Sequence, residues 1–352
     1  MADLISSLPD EIICYILYFL PSQQVVATSV LSKRWNPLWR CVPSLDFDTV
    51  IDDFWRLNHR KTFNTFYSSV YSFLVGRGDQ PFYRIRLRCD SSINITERIK
   101  TRIRTSLSES CRVQILNLLC RQRSEIVIPS VVFSFKTLVA LKLEYIIVEE
   151  HISFVDLSLL KILHLKHISS PIKIDLSQLL FGCPNLEDLK LIWLACEAKG
   201  KFNILPKLVR ASIDVLLPLE IFKDVEVLKF DLVMPFLYPN LNLNFDFHNL
   251  VQLHLEVMED WLLFLKVLNH CPKLQSLKIC IHKSYEEGDV WPYPQTVPAC
   301  ISSHLTAVLD ITTNLVELEW KYRSFSINWV DVTEMLKQCP KLQTLAIDCY
   351  NV

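Results

Sequence analysis

The sequence predicts an α/β chain: a small helical N-terminal segment, then an irregular solenoid of short parallel strands. Three observations carry this. The first forty or so residues hold three short stretches of helical spacing. From residue 113 onward the pattern Leu-x-x-Leu-x-Leu recurs, strict or degenerate, to the end of the chain. Some repeats are announced by one phrase: Cys183-Pro184-Asn185-Leu186, Cys271-Pro272-Lys273-Leu274 and Cys339-Pro340-Lys341-Leu342.

In chain order, Leu8-Pro9-Asp10-Glu11 reads as a helix start, because proline suits a first turn and two acids complement the helix N-terminus. Ile13, Ile16, Leu17 and Leu20 then fall on one apolar face, and Pro21 stops the run. A second short helix carries Val25, Val26, Ser29 and Val30. Ser32 is read as N-cap of a third piece holding Lys33, Arg34 and Trp35, which Pro37 ends or distorts. So small a unit cannot hide all its large apolar groups. Leu4, Leu8, Trp35, Leu38 and Trp39 are candidates for the surplus, which either makes a surface for a partner or packs on the rest of the chain.

Leu8-Pro9-Asp10-Glu11, Ile16-Leu17, Leu20-Pro21, Val30-Leu31-Ser32-Lys33-Arg34-Trp35-x-x-Leu38-Trp39 and Val42-Pro43-Ser44-Leu45-Asp46-Phe47-Asp48 resemble the F-box of large plant families, over residues 3–48. The resemblance implies docking to a Skp-type adaptor and, through it, to a cullin–RING ubiquitin ligase. Carried over by position, Leu8, Pro9, Ile12, Leu17, Leu20, Pro21, Val30, Leu31 and Trp35 form or support the docking surface.

Residues 49–112 read as a connection of irregular solenoid units. Phe54, Leu57, Phe63, Phe66, Val70, Phe73 and Leu74 suggest a helix ending near Gly76-Arg77-Gly78. Phe82 to Arg88 alternates as a strand, and Ile95, Ile99, Ile103 and Leu107 mark a basic helix. Leu45/Phe47 and Ile85/Leu87 are expected to be the first two strands, closing the N-terminal end of the solenoid. Repeats follow over 113–284, at Val113/Leu116/Leu118, Leu138/Leu141/Leu143, Leu160/Leu163/Leu165, Leu186/Leu189/Leu191 and Leu208/Ala211/Ile213. They continue at Val225/Leu228/Phe230, Leu250/Leu253/Leu255, Leu274/Leu277/Ile279, Leu315/Leu318/Trp320 and Leu342/Leu345/Ile347. Starting positions from 113 to 274 lie 17 to 26 residues apart, mostly within the roughly 20–29 of a leucine-rich repeat. The shortest spacing, between 208 and 225, leaves little room for a helix, and the interval from 274 to 315 implies an insertion. Residues 1–48 with the repeats thus make an F-box followed by a leucine-rich-repeat horseshoe. In the last part, 285–352, Trp291-Pro292-x-Pro294-x-x-Val297-Pro298-x-Cys300 to Leu305 resembles the opening of the FBD region of plant F-box proteins; the sequence departs from that pattern after about residue 308.

Composition narrows the function. The chain has 352 residues, 50% hydrophobic and 21% charged, with net charge −1. That is a globular composition without the basic footprint of a nucleic-acid or anionic-membrane binder. Twelve cysteines are scattered without a Cys-x-x-Cys pair, and no secretory leader is read at the start. Reduced thiols in the cytoplasm or nucleus are therefore expected. The cysteine of each Cys-Pro phrase is read as filling a buried corner rather than binding metal. Five glycines leave no phosphate-cradling loop. His164-x-x-His167 is the one near-motif for metal, and regular strand alternation sends its two rings to opposite faces. Glu149-Glu150 reads as solvated loop charge. No catalytic residue, metal or cofactor is assigned, and the chain is not read as an enzyme.

In each Leu-x-x-Leu-x-Leu strand the leucines point inward, and the residues flanking the last two face the concave side. These are Lys142, Glu144, His164, Lys166, Asp188, Lys190, Ser212, Asp214, Lys229, Asp231, His254, Glu256, Lys278, Glu319 and Lys321. Alternating charge with few aromatics suits a polar, charge-matched target protein. The expected function is a non-catalytic substrate receptor of an SCF-type ubiquitin ligase. Its rivals are a non-degradative scaffold and a small-molecule-gated receptor; basic residues converging under the concave face would favour the latter.

Overall fold

The chain's parallel strands are locked to one another by a repeated backbone device. The carbonyl of Pro43 accepts from the N–H groups of Tyr83 and Arg84, that of Tyr83 from Gln114 and Ile115, that of Gln114 from Val139 and Ala140, and that of Val139 from Lys161 and Ile162, all at 2.8–3.2 Å. Glu187, Val209, Glu226 and Val251 carbonyls do the same further on. A proline can open this series because only its carbonyl is used. The computed structural model describes residues 5, 7–48, 61–78, 80–89, 97–109, 112–120, 126–232, 243–258, 267, 270–282, 317–322 and 344–349. The chain divides into two compact units, residues 1–186 with 193–201, and residues 187–192 with 202–352.

The first unit begins with α1 (Asp10–Leu17), α2 (Ser22–Ala27), a 3-10 turn (Thr28–Val30) and α3 (Trp35–Leu38). Pro9 and Pro21 each immediately precede a helix in extended conformation, so a proline both ends one piece and launches the next. Ser32 does not cap with its hydroxyl; its carbonyl accepts from the N–H groups of Trp35 and Asn36. The parallel sheet of this unit runs β1 (Ser44–Asp48), β2 (Arg84–Cys89), β3 (Ile115–Cys120), β5 (Ala140–Val148) and β6 (Ile162–Ser169), with β4 (Ile126–Ile128) pairing the far end of β5. The register sets Leu45 beside Ile85 beside Leu116 beside Leu141 beside Leu163, and Phe47 beside Leu87 beside Leu118 beside Leu143 beside Leu165. All ten are buried, each worth about 1.5–3 kcal/mol over exposure. The two expected first strands are therefore in place.

Parallel neighbours need a crossover. Here α4 (Lys61–Arg77) and α5 (Glu97–Glu109) serve the early strands, burying Val70, Phe73, Leu74, Ile103 and Leu107. Later returns are a 3-10 turn (Ser130–Ser134) and α6 (Leu176–Phe181), whose N-cap Asp175 lies on β7 (Ile174–Asp175), paired with β9 (Cys196–Glu197). Asp175 accepts from the Ser177 backbone N–H at 2.9 Å and from its hydroxyl at 2.6 Å. These bonds, the side-chain one first, hold its carboxyl below its ordinary value.

The second unit's sheet begins with Asp188–Ile192, the part of β8 (Asp188–Leu194) that belongs to it, followed by β10 (Arg210–Ile213), β11 (Val227–Leu232), β12 (Gln252–Met258), β13 (Ser276–His282), β14 (Glu317–Tyr322) and β15 (Thr344–Cys349), all parallel. Between β10 and β11, where the sequence leaves little room, the return is a single 3-10 turn at Leu219–Phe222. The corner cysteines behave as small hydrophobes: Cys183 and Cys271 are fully buried, and burial pushes both thiols up to about 12. In some repeats the side chain just before the first leucine reaches back one repeat: Thr137 donates to the Val113 carbonyl at 2.9 Å and Asn185 to the Ser158 carbonyl at 2.7 Å. The third Cys-Pro phrase and almost all of the FBD-like stretch lie outside the described residues.

Candidate interaction surfaces

The N-terminal helices sort their apolar residues into two sets. Ile13, Leu17, Val25, Trp35, Leu38 and Val42 form one core, with Leu8, Leu20 and Trp39 packed against it. Ile12, Tyr15, Ile16, Phe19, Val26, Val30 and Leu31 stay exposed, Val30 at 85% and Leu31 at 64%. Of the nine residues carried over from the resemblance, Leu17 and Trp35 are therefore core supports. Leu8 and Leu20 are half-buried, and Pro9, Ile12, Pro21, Val30 and Leu31 face outward.

Three expectations change. Ile16 does not join the buried face of α1; it is exposed one step beside Leu17. Trp35 and Leu38 are core rather than surplus. Trp39 lies against the Phe73 ring at 5.6 Å and under Gly76, where a Cβ would come within 2.4 Å of the indole. Large aromatics were spent on seating the helices against α4.

Sequence reasoning missed Arg34, Tyr15 and Phe19. The Arg34 guanidinium donates to Asp10 Oδ1 at 2.6 and 2.8 Å and also to the Leu8 carbonyl, tying the entry of α1 to the start of α3. Tyr15 and Phe19 stack edge to face at 5.2 Å on the open side of α1. Their four-residue spacing was a legible signal, because residues so spaced share a helix face.

The outward face of the first sheet carries charge in two rows. One row is Asp46, Arg86, Asn117, Lys142 and His164; the next is Asp48, Arg88, Leu119, Glu144 and Lys166. Asp46 pairs with Arg84 at 2.6 Å and Arg86 at 3.5 Å, Asp48 with Arg86 and with Arg88 at 3.0 Å, and Glu144 with Lys166 at 3.7 Å. Lys142 has no hydrogen-bond or ion-pair partner among the described residues. Among the described residues, four cations share three carboxylates on this face, and Lys142 stands as a fifth cation. The rows enclose a cavity of about 250 Å³ over Leu118, Leu119 and Leu143, reached by Arg88, Lys142, Glu144, His164 and Lys166. The β2 arginines and β1 aspartates were missed as surface groups, although strand alternation had set them on this face.

On the second sheet, Lys190, Ser212, Lys229, His254 and Lys278 form one row. Lys229 pairs with Glu256 at 2.6 Å, His254 Nε2 lies 3.7 Å from the same carboxylate, and Asp188 takes Arg210 at 3.5 Å. Asp214 follows β10 and is half-buried. Asp231 stands on β11 beside Glu256 in register. Glu319 and Lys321 have strand positions on β14.

His164 and His167 do not point to opposite faces. His167 sits at φ 48°, Tyr145 at 57° and Trp193 at 54°, at the same step after the last leucine of their strands. The left-handed residue resets the alternation, so His164, Lys166 and His167 all stay outside while Leu165 and Ile168 are buried. The three rings stack, Tyr145 on His167 at 4.3 Å and His167 on Trp193 at 5.8 Å. Among the described residues no group of three His, Cys, Asp or Glu side chains could hold a metal ion. Glu149, read as solvated, is paired with Arg104.

An exposed apolar helix surface and a charged face on a parallel sheet are the two candidate interaction surfaces of the first unit. A family model described as the F-box domain matches residues 5–46. F-box/LRR-repeat protein At4g14096 of Arabidopsis thaliana is 33% identical over 369 residues, covering 97% of this chain and 72% of the relative. F-box/LRR-repeat protein At4g14103 of the same plant is 30% identical, covering 97% and 91%. F-box/FBD/LRR-repeat protein At4g26340, also of Arabidopsis thaliana, is 28% identical over 87% of this chain and 85% of its own length. The chain belongs to the F-box/LRR-repeat proteins.

Proposed function

We propose that this chain is the substrate-recognition subunit of an SCF-type ubiquitin ligase, acting in the cytoplasm or nucleus without chemistry of its own. The F-box docks a Skp-type adaptor and through it the cullin–RING assembly. The repeats form a horseshoe whose concave face holds a target protein, and the FBD-like region continues its C-terminal end. The transfer of ubiquitin to a target lysine belongs to other subunits; this chain contributes proximity and orientation.

One observation carries the reading: the F-box match over residues 5–46 coincides with an exposed apolar set raised on a separate core. Val30, Leu31 and Ile12 are the docking contacts in this reading, and Leu17 and Trp35 hold them in place. The test is co-purification of the full chain with a Skp-type adaptor, beside a Val30→Asp/Leu31→Asp variant. Both side chains are solvated, so the variant keeps its fold. Binding by the wild type and loss in the folded variant supports the proposal. An intact chain that ignores the adaptor overturns it.

The cavity over β3, β5 and β6, with Arg88, Lys142 and Lys166 converging on it, is what favours a small-molecule-gated receptor. At about 250 Å³ it falls short of the roughly 300–1,000 Å³ of drug-sized ligand sites, and its walls are mainly charged. A protein target remains the better occupant.

A further inference from the structure

We propose that the face formed by β2, β3, β5 and β6 binds an acidic segment of the target protein, with a carboxylate seated in the cavity between Lys142, Arg88 and Lys166. This deepens the receptor reading and rests on it.

The argument is one of charge and space. Among the described residues lining the cavity, three cations meet one carboxylate, Glu144. Arg88 already shares Asp48 with Arg86, and Lys166 reaches Glu144 only at 3.7 Å. Lys142 stands between them in register, beside Asn117 on one side and His164 on the other. Its ammonium keeps all three donors for a ligand. The groups are half-buried in a concavity, where their field is screened less than on an open surface. Leu119, the apolar member of the outward row, floors the space, so an entering carboxylate loses water and is repaid by charge-assisted hydrogen bonds. The volume admits one or two acidic side chains.

The rows also fix the approach. They run perpendicular to the strands, so Arg86 and Lys142, two strands apart across Asn117, stand about 10 Å from each other along one row at about 4.8 Å per strand. An extended peptide crossing the strands presents alternate side chains to the sheet about 7 Å apart, near enough to engage Lys142 and Arg88 or Lys166 together.

The test uses the full chain with two fluorescein-labelled peptides in fluorescence polarisation at low salt. One is an Asp/Glu-rich twelve-residue probe; the other has Asn and Gln at every acidic position. Lys142→Gln and Lys142→Glu are measured beside Lys173→Glu, an exposed control off this face. Thermal melts of every variant verify folding. The expected result is binding of the acidic probe only, roughly tenfold weaker in Lys142→Gln, as for one lost charge-assisted contact. Binding should be weaker still in Lys142→Glu, unchanged in Lys173→Glu and reduced by added salt. Equal binding of the amide probe, or indifference to both Lys142 variants, overturns the proposal. So does millimolar inorganic phosphate that occupies the site while the acidic probe does not. Adaptor co-purification with the same samples reads the receptor function separately. Acidic-probe binding without adaptor binding removes the ligase and leaves the partner chemistry, and the reverse leaves the ligase with a different target class.

Discussion

The N-terminal helices and the charged sheet face solve the problem of a binding surface in opposite ways. On the helices, folding and display are assigned to different side chains close in sequence: Leu17 is buried and Ile16 exposed, Trp35 is core and Leu31 open. On the sheet the same side chains do both. Asp46 is almost wholly buried, holds two arginines, and donates its backbone N–H to the Ser22 hydroxyl oxygen at 2.8 Å. The helices can therefore lose a contact without losing their fold, whereas the sheet face cannot lose its charges without cost. A surface that meets one constant partner gains from the first arrangement; one that discriminates among partners gains from fixed, oriented charges.

That separation has a direct test. Trp35→Ala should destabilise the chain by about 3–5 kcal/mol, seen as a lower urea midpoint, and abolish adaptor binding only as a consequence of unfolding. Val30→Asp/Leu31→Asp should leave the midpoint unchanged and weaken adaptor binding by about a hundredfold or more, as for paired hot-spot residues. If the double variant also unfolds the chain, the division between core and display fails.

On the sheet the prediction is coupling. Asp46→Asn leaves Arg84 and part of Arg86 without a charged partner in a half-buried site. A loss of about 1–3 kcal/mol in stability is expected, together with altered affinity for the acidic probe. Stability unchanged with altered binding would mean that the face is as separable as the helices.

Much of this was legible in sequence because it is periodic. The leucine pattern gave both the inward residues and the register, since each strand repeats the same alternation as its neighbour. What it hid were interactions across one repeat or more. Arg34 to Asp10 joins residues with no common period, and Trp39 on Gly76 depends on how α4 is seated. The His164/His167 reading failed for a different reason: strict alternation was assumed, and a left-handed residue after the last leucine breaks it. Nothing in a histidine, tyrosine or tryptophan announces that conformation, which glycine or asparagine usually fills. The β1 and β2 charges were legible and were passed over because their strands lack the leucine pattern.

Acid should part the two regions again. The Asp175 carboxyl is held below its ordinary value by Ser177. A depressed folded value gives stabilisation that is complete above the unfolded value of about 4 and lost as pH falls through the folded one. Asp175→Ala should cost about 1 kcal/mol at neutral pH, the usual worth of an N-cap, and progressively less below about pH 4. The helical core, being apolar, supplies no such term. A gap between wild type and Asp175→Ala that persists undiminished into acid would mean that the cap acts through shape rather than charge.

The smallest effect is expected at the aromatic stack, the exception on an otherwise charged face. Trp193 holds a left-handed backbone that costs a side-chain-bearing residue about 1–2 kcal/mol, and it stacks on His167 for about 0.5–1.5 kcal/mol. Trp193→Gly removes both at once, so stability should shift by less than about 1 kcal/mol, in either direction. Trp193→Ala keeps the strain and loses the ring, and should melt lower than Trp193→Gly. If Ala and Gly melt alike, the strain is not felt at that position. If Gly is the more stable, the chain tolerates strain to keep a tryptophan that is 64% exposed beside the charged rows, which is the mark of a residue kept for what it contacts outside the fold.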